Sequence, residues 1–299
     1  MGTWAGQRSG IWRLVVILCL VALVLSGIAG CQMLFQPLAG PQGVNIEPTP
    51  DEPRVLRIVA CWESLPLLND LEARYRVQYP NIILQIEAME SALARQTLDA
   101  GQADLALVID DPVPLGVTGT QIQVGGTQQQ VVARDALVIA VASTSPLAAL
   151  SSAQLRDLYA GRIMDWAVIG GGNGRPEFVT RETGSASRRL FESQVMRDEA
   201  ISTAAVVMPS DSAVRDYLIQ HPDAIGYLSL TYVDAHLKTV SLDGQTPSTA
   251  TIKSGRYPLI RSITALLAPK PLLEAQRWLA MATSSQGCQL MQHHYACAR

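Results

Sequence analysis

The chain has 299 residues and is 48% hydrophobic, so it can bury a large core in one or two domains. Its 23 Lys and Arg stand against 26 Asp and Glu, which gives a formal net charge of −3 at pH 7. The sequence has no basic run and no basic patch with interleaved aromatic residues. Composition therefore argues against a nucleic-acid partner.

The N-terminus has the layout of a secretory signal. Two arginines precede an apolar run over residues 14–25, which is short for a membrane span. The run is followed by Ile-Ala-Gly-Cys at 28–31, which resembles a bacterial lipobox. We therefore predict a signal peptide over 1–30, lipid on Cys31 and a cell-membrane lipoprotein facing outward, at the cell surface or in the periplasm. A plain N-terminal membrane anchor is the alternative.

Residues 31–53 are rich in Pro and Gly, which is typical of a semi-extended tether.

Beyond the lipobox the chain has three cysteines, and an odd number permits at most one intrachain disulfide. Cys288 and Cys297 are close enough in sequence to pair, which would leave Cys61 as a small buried residue. No Cys/His spacing indicates a metal site, so we expect neither a metal nor another cofactor.

The first folded unit alternates strands with helices. Apolar runs predict strands over 55–60, 82–86 and 105–109, and the segments between them predict helices over 65–79 and 91–100. This alternation favours a parallel α/β sheet.

A second α/β unit follows a β-rich stretch at 120–132. We predict a separate strand over 136–142, with later strands at 177–180, 225–228, 239–242 and 260–267. Helices are predicted over 152–159, 187–196, 212–220 and 272–283, the last ending near Gly287.

Five phrases in fixed order indicate a family. They begin at Ala133 (ARDALVIAV, then SPL), Leu150 (LSSAQLRDLYAG, then MDW), Arg181 (RETGSASRRLFE), Ala224 (AIGYLS) and Ser254 (SGRYPLIR). The series resembles the PstS-type phosphate-binding proteins of ABC transporters. The resemblance covers residues 131–265 well and 54–112 weakly.

The resemblance implies an α/β, two-lobed periplasmic-binding-protein-like fold of type II. Each lobe would be a mixed sheet flanked by helices, with the ligand cleft between the lobes. Lobe 1 would comprise 54–135 and 255–299, and lobe 2 would comprise 136–254. The implied function is a lipid-anchored protein that captures phosphate, or a related small oxyanion, and passes it to an ABC permease.

The Arg181 phrase supplies the second-lobe half of the expected site. A helix that starts after small hydroxylated residues presents unpaired N–H groups to an anion, and an Arg fork suits a tetrahedral oxyanion. By the resemblance, Arg181, Ser185 and Ser187 bind the anion together with Ala186. Ala186 replaces a family glycine, and its Cβ would limit the approach of the backbone to the ligand.

The first-lobe half departs further from the family. Ser64 and Ser91 match hydroxyl positions, although either could simply cap a helix. Asp110 falls near the family's acidic acceptor, which would take a hydrogen bond from protonated phosphate and reject sulfate. Asp110 could instead start a turn. Glu63 and Glu90 have no counterpart in the family and would repel an anion unless they point away or are protonated.

Two other functions are open at this stage. The altered first lobe could belong to a sensor or assembly lipoprotein, or to a receptor for another solute, such as one with a cationic group. An enzyme is disfavoured, because the four histidines lie in the last third and none is beside a Ser or Cys nucleophile in sequence.

Overall fold

One long strand connects the two halves of this molecule. The computed structural model describes residues 53–110, 122–124 and 126–298, which belong to one compact unit, Glu52–Arg299. The predicted signal peptide, the lipidated Cys31 and the tether lie outside the described residues.

The strands are β1 (Arg54–Cys61), β2 (Ile82–Met89), β3 (Leu105–Asp110), β4 (Ile122–Val124), β5 (Thr127–Ala142), β6 (Ala149–Leu150), β7 (Glu177–Arg181), β8 (Val206–Met208), β9 (Ala224–Ser229), β10 (Leu237–Leu242), β11 (Ile260–Leu267) and β12 (Ala296–Cys297).

The helices cover the faces of these strands. They are α1 (Leu65–Gln78), α2 (Ser91–Asp99), α3 (Ser152–Tyr159), α4 (Ala186–Phe191), α5 (Asp211–Gln220), α6 (Thr249–Lys253), α7 (Leu273–Ala282) and α8 (Ser285–Met291). No helix among the described residues combines the length and the apolar character that crossing a membrane requires.

Strand β5 belongs to both lobes. The strand order is β2-β1-β3-β11-β5-β9-β7-β8. The first part of β5 pairs antiparallel with β11, and its last part pairs antiparallel with β9 and β10. Strands β1, β2 and β3 are parallel to one another, as are β7, β8 and β9. Each lobe is therefore a mixed sheet, as the resemblance implied.

The lobes have separate apolar cores. In the first, the parallel strands pack against α1 and α7, with Leu71 and Trp278 fully buried. In the second, an aromatic group of Tyr159, Phe191 and Tyr227 packs around β9, and the Phe191 and Tyr227 rings stack at 4.2 Å. The lobe boundaries near residues 135 and 255 stay a prediction.

Gly226 shows how tightly the second lobe is packed. A Cβ added there would lie 2.9 Å from Cγ1 of Val214 on α5, closer than van der Waals contact allows. The absence of a side chain lets α5 pack directly on β9. This packing accounts for the glycine in the AIGYLS phrase.

The structure corrects three predicted elements. Residues 127–142 form one strand rather than a β-rich stretch and a separate strand, because each part of it finds a different partner. The helix predicted over 187–196 becomes α4 followed by a π-helical turn, Glu192–Met196. The helix predicted over 272–283 is confirmed as α7, but a second helix that was not predicted, α8, follows it. Ser284 caps the second, and a Cβ on Gly287 would lie 2.4 Å from the Met281 carbonyl oxygen.

The C-terminus is attached to β5 next to the point where the strand changes lobes. Strand β12 pairs with β5 at Ala133 and Arg134. A disulfide joins Cys288 on α8 to Cys297 on β12, with a sequence separation of 9. Cys61 is free and buried.

We expect the disulfide to stabilise the fold through the unfolded chain. A closed loop of this length restricts the unfolded ensemble by about 2–3 kcal/mol. The double variant C288S/C297S should lose about that much unfolding free energy in urea titrations. As a control, reductant should lower the stability of the wild type to that of the variant and leave the variant unchanged. A wild type insensitive to reductant would contradict this prediction.

Candidate functional site

Four buried charged side chains meet where the lobes join. Arg181 ends β7, Asp211 begins α5, and Asp135 and Arg261 lie opposite each other in the β5–β11 pairing. Their exposed fractions are 0% for Asp135, 1% for Arg181 and Arg261, and 3% for Asp211. Charges buried to this extent must compensate one another.

Asp211 is the centre of this cluster. Its Oδ1 accepts a hydrogen bond from Nη1 of Arg181, and its Oδ2 lies 3.5 Å from Nη2 of Arg261. The backbone N–H of Ser229, at the end of β9, also donates to Oδ2 at 3.0 Å. One carboxylate therefore links two guanidinium groups from distant parts of the chain.

Arg261 connects β11 to both β5 and α4. Its Nε donates to Oδ2 of Asp135 at 2.8 Å, and its Nη1 donates to Oγ of Ser187 at 2.8 Å. Burial acts to lower the pKa of Arg261, but the charges of Asp135 and Asp211 outweigh it and raise that pKa. Burial raises the pKa of the Asp135 carboxyl, and Arg261 offsets only part of that effect.

Arg181 has a second carboxylate partner. Its Nε and Nη2 each donate to Glu182 at 2.9 Å, which is the bidentate geometry of a guanidinium with a planar oxyanion. Burial acts to lower the pKa of Arg181, but the neighbouring carboxylates, Glu182 foremost, raise it overall. The Glu182 side chain is 33% exposed, so water reaches this ion pair.

The start of α4 lies next to the cluster. Ser185 Oγ accepts the backbone N–H of Arg188 at 3.2 Å, so Ser185 is the N-cap. Ser187 is fully buried and bound to Arg261. Ala186 is 5% exposed and packs with the first lobe's core, so the helix start contacts both lobes.

The first-lobe residues occupy other roles. Ser64 does not cap α1 with its side chain; its Oγ donates to the Cys61 carbonyl at 2.8 Å. Ser91 is the first helical residue of α2 rather than its N-cap, and its Oγ accepts the backbone N–H of Ile109 at 3.1 Å. Asp110 ends β3 in register with Ser262, and its side chain lies outside what the structure describes. The anion-binding roles of these residues stay predictions.

The two additional glutamates approach the same site. Glu63 lies in a 3₁₀ turn after β1 (Trp62–Ser64) and is 4% exposed. Glu90 is the residue before α2. Burial raises the pKa of Glu90, and the charges of Glu63 and Glu182 raise it further, with Arg189 a partial offset. The ionised form of Glu90 is therefore opposed by one carboxylate from each lobe, Glu63 and Glu182.

Sequence reasoning missed Asp135, Asp211 and Arg261 as site residues. Asp135 and Arg261 were within the recognised phrases, and each interrupts an apolar strand run, which is a signal of a paired buried charge. Asp211 had no such signal, because an Asp at a helix start usually faces solvent. Among the described residues, no group of three His, Cys, Asp or Glu is placed to hold a metal ion.

Two α/β lobes with a buried polar site at their junction define the class of two-lobed binding-protein folds. The chain belongs to the PBP-like family described as the PBP superfamily domain, whose model matches residues 47–284. Similarity to individual proteins adds to this assignment. The phosphate-binding protein PstS of Borreliella burgdorferi is 22% identical over 224 residues, covering 71% of this chain and 78% of that protein.

Two further proteins are similar. PstS of Bacillus subtilis is 28% identical over 111 residues, so the match spans 37% of the length of that relative and 37% of this chain. An ABC-transporter substrate-binding protein from Clostridium perfringens, solved with bound phosphate, superposes with a TM-score of 0.73. That structure is 18% identical, covered over its full length and over 82% of this chain. It confirms the fold class predicted from the sequence.

Replacing Asp211 should destabilise the fold severely. The variant D211N would remove the carboxylate that two buried guanidinium groups share and leave each with one carboxylate partner, Glu182 for Arg181 and Asp135 for Arg261, at a cost of about 3–5 kcal/mol. The control is D216N on the same helix, whose side chain is 59% exposed in its pair with Arg215, with an expected change below about 1 kcal/mol. Urea unfolding measures both. Equal losses in the two variants would refute the central role of Asp211.

Replacing Glu90 should stabilise the protein at neutral pH. In the folded protein the pKa of Glu90 is raised above its ordinary value of 4.5, so ionisation of Glu90 opposes folding. The free energy of unfolding therefore falls as the pH rises from about 4.5 through the folded-state pKa. The variant E90Q should gain less than about 1 kcal/mol at pH 7 and nothing at pH 4, because Glu90 is partly solvated. Thermal melts across pH measure this, with exposed E87Q as control. A gain at pH 4 equal to that at pH 7 would contradict it.

Proposed function

We propose that this chain is a solute-binding protein that captures phosphate, or a related small oxyanion, for an ABC permease. The observation that carries the proposal is the pair of buried guanidinium groups, Arg181 and Arg261, beside the hydroxyl of Ser187. Relatives that share this fold carry phosphate in their names. From the signal-like N-terminus and its lipobox we also propose that the protein acts outside the cytoplasm, anchored through lipid on Cys31. Because the relatives are binding proteins, we propose no enzymatic activity.

The oxyanion would take the place of Glu182 on Arg181. The Glu182 carboxylate already presents two oxygens to Nε and Nη2, at the positions that two oxygens of a phosphate would occupy. Because Glu182 is partly exposed, it can swing into water when the anion arrives. The contact between Arg181 and Asp211 is buried and would persist, keeping the fork in orientation.

A second candidate function is a family member that serves as a sensor or assembly lipoprotein. The favouring observation is that the protein's own carboxylates already occupy both guanidinium groups. An anion must compete with these contacts, which lowers its net affinity. Binding measurements separate the two candidates.

Calorimetric titration of the full-length protein in detergent, stripped of bound ligand, tests the proposal. Phosphate should bind saturably. The variant R181K should weaken it at least about tenfold, because lysine retains the charge but loses the bidentate fork. The control R215K, in an exposed ion pair on α5, should bind like the wild type. Absence of heat from folded wild-type protein would favour the second candidate.

A further inference from the structure

Arg134 on β5 is a buried guanidinium without a counter-charge. It is 4% exposed, and its Nη2 is a buried donor with no hydrogen-bond partner. No ion pair joins it to a carboxylate in the part of the chain that the structure describes. Burial lowers the pKa of Arg134, and no described carboxylate offsets that effect. Arg181 and Arg261, by contrast, each contact two carboxylates.

A second donor without a partner lies on the same face of the sheet. Ser262 on β11 is directly opposite Arg134, and Thr264 follows Ser262 by two residues. The bulge beside Ile263 adds its extra residue to β5, so side chains along β11 keep their alternation. Thr264 is 4% exposed, and its Oγ1 is buried with no hydrogen-bond partner. Because Thr264 is diagonal to Arg134, it is within reach of that long side chain.

The surroundings of Thr264 are apolar. Val108 lies opposite it on β3, and Leu266 follows two residues along β11. Both belong to a buried apolar cluster with Ala94 and Leu98 of α2. A donor left unsatisfied in such surroundings is costly, and an unpaired charge is more so. A water molecule could accept hydrogen bonds from both donors, but it would leave the positive charge of Arg134 uncompensated.

We propose that a small monovalent anion, of the size of a halide, binds between Arg134 and Thr264. It would accept hydrogen bonds from the Nη2–H of Arg134 and the Oγ1–H of Thr264. The anion must be monovalent because one positive charge is uncompensated, and a dianion would bury an excess of negative charge. The inference does not rest on the proposed function, since Arg134 and Asp135 are consecutive in β5 and project from opposite faces.

The anion would lie beside the strand that connects the lobes. Arg134 pairs with Ser262 of β11 on one side and with Ala296 of β12 on the other. Leu137, three residues later on β5, already pairs with Ser229 of β9 in the second lobe. Neutralising Arg134 therefore stabilises β5 where strands of both lobes and the C-terminus meet it. We expect a halide to stabilise the whole fold.

Thermal melts of the full-length protein in detergent and phosphate-free buffer test this site, with bromide exchanged for gluconate at constant ionic strength. The wild type should melt about 3–6 °C higher once bromide reaches about ten times its dissociation constant. R134M should show no bromide-dependent rise, because it lacks the guanidinium. T264V keeps the side-chain shape and should weaken bromide binding at least about tenfold. The control R76M, in an exposed ion pair on α1, should respond like the wild type.

Crystals grown in bromide locate the ion, with an anomalous peak expected between Arg134 and Thr264. Peaks found only elsewhere would overturn the proposal, as would a bromide response in R134M equal to that of the wild type. A folded wild type that ignores bromide would also overturn it. Asp110 is in register with Ser262, two strands from Arg134. A bromide response that appears only in D110N would then identify the Asp110 carboxylate as the counter-charge.

Discussion

The site depends on one carboxylate held between two buried guanidinium groups. Asp211 contacts Arg181 from β7 and Arg261 from β11, and it receives the Ser229 N–H from the end of β9. Each of these charges would be too costly to bury alone, so the contacts must form together. Their formation fixes the start of α5 against both lobes at the place where the lobes meet.

For the proposed oxyanion ligand, this arrangement also decides what binding requires. The guanidinium groups are oriented before any ligand arrives, which reduces the ordering that binding requires. In return, a ligand must compete with carboxylates that are already present, and the exposed one, Glu182, is the easiest to displace.

The local spacing of apolar residues and the helix caps predict most of the secondary structure. Helices such as α3 and strands such as β11 were predicted to the residue, because their apolar spacing and caps are local signals. The 127–142 segment was divided wrongly, since nothing within it shows that its parts pair with different strands. The second C-terminal helix was missed because seven residues, Ser285–Met291, carry too short a pattern.

The sequence by itself determined the family and the α/β class, and it predicted the half of the proposed site that is contiguous along the chain. Arg181, Ser185 and Ser187 lie within seven residues, so one helix start brings them together. Tertiary structure alone decided that Asp135 meets Arg261 across 126 residues and that Asp211 meets Arg181 across 30. The physical reason is that burial and charge pairing depend on which strands become neighbours. A charge within an apolar run, such as Asp135, can indicate a buried pair, but the local sequence does not identify the distant partner.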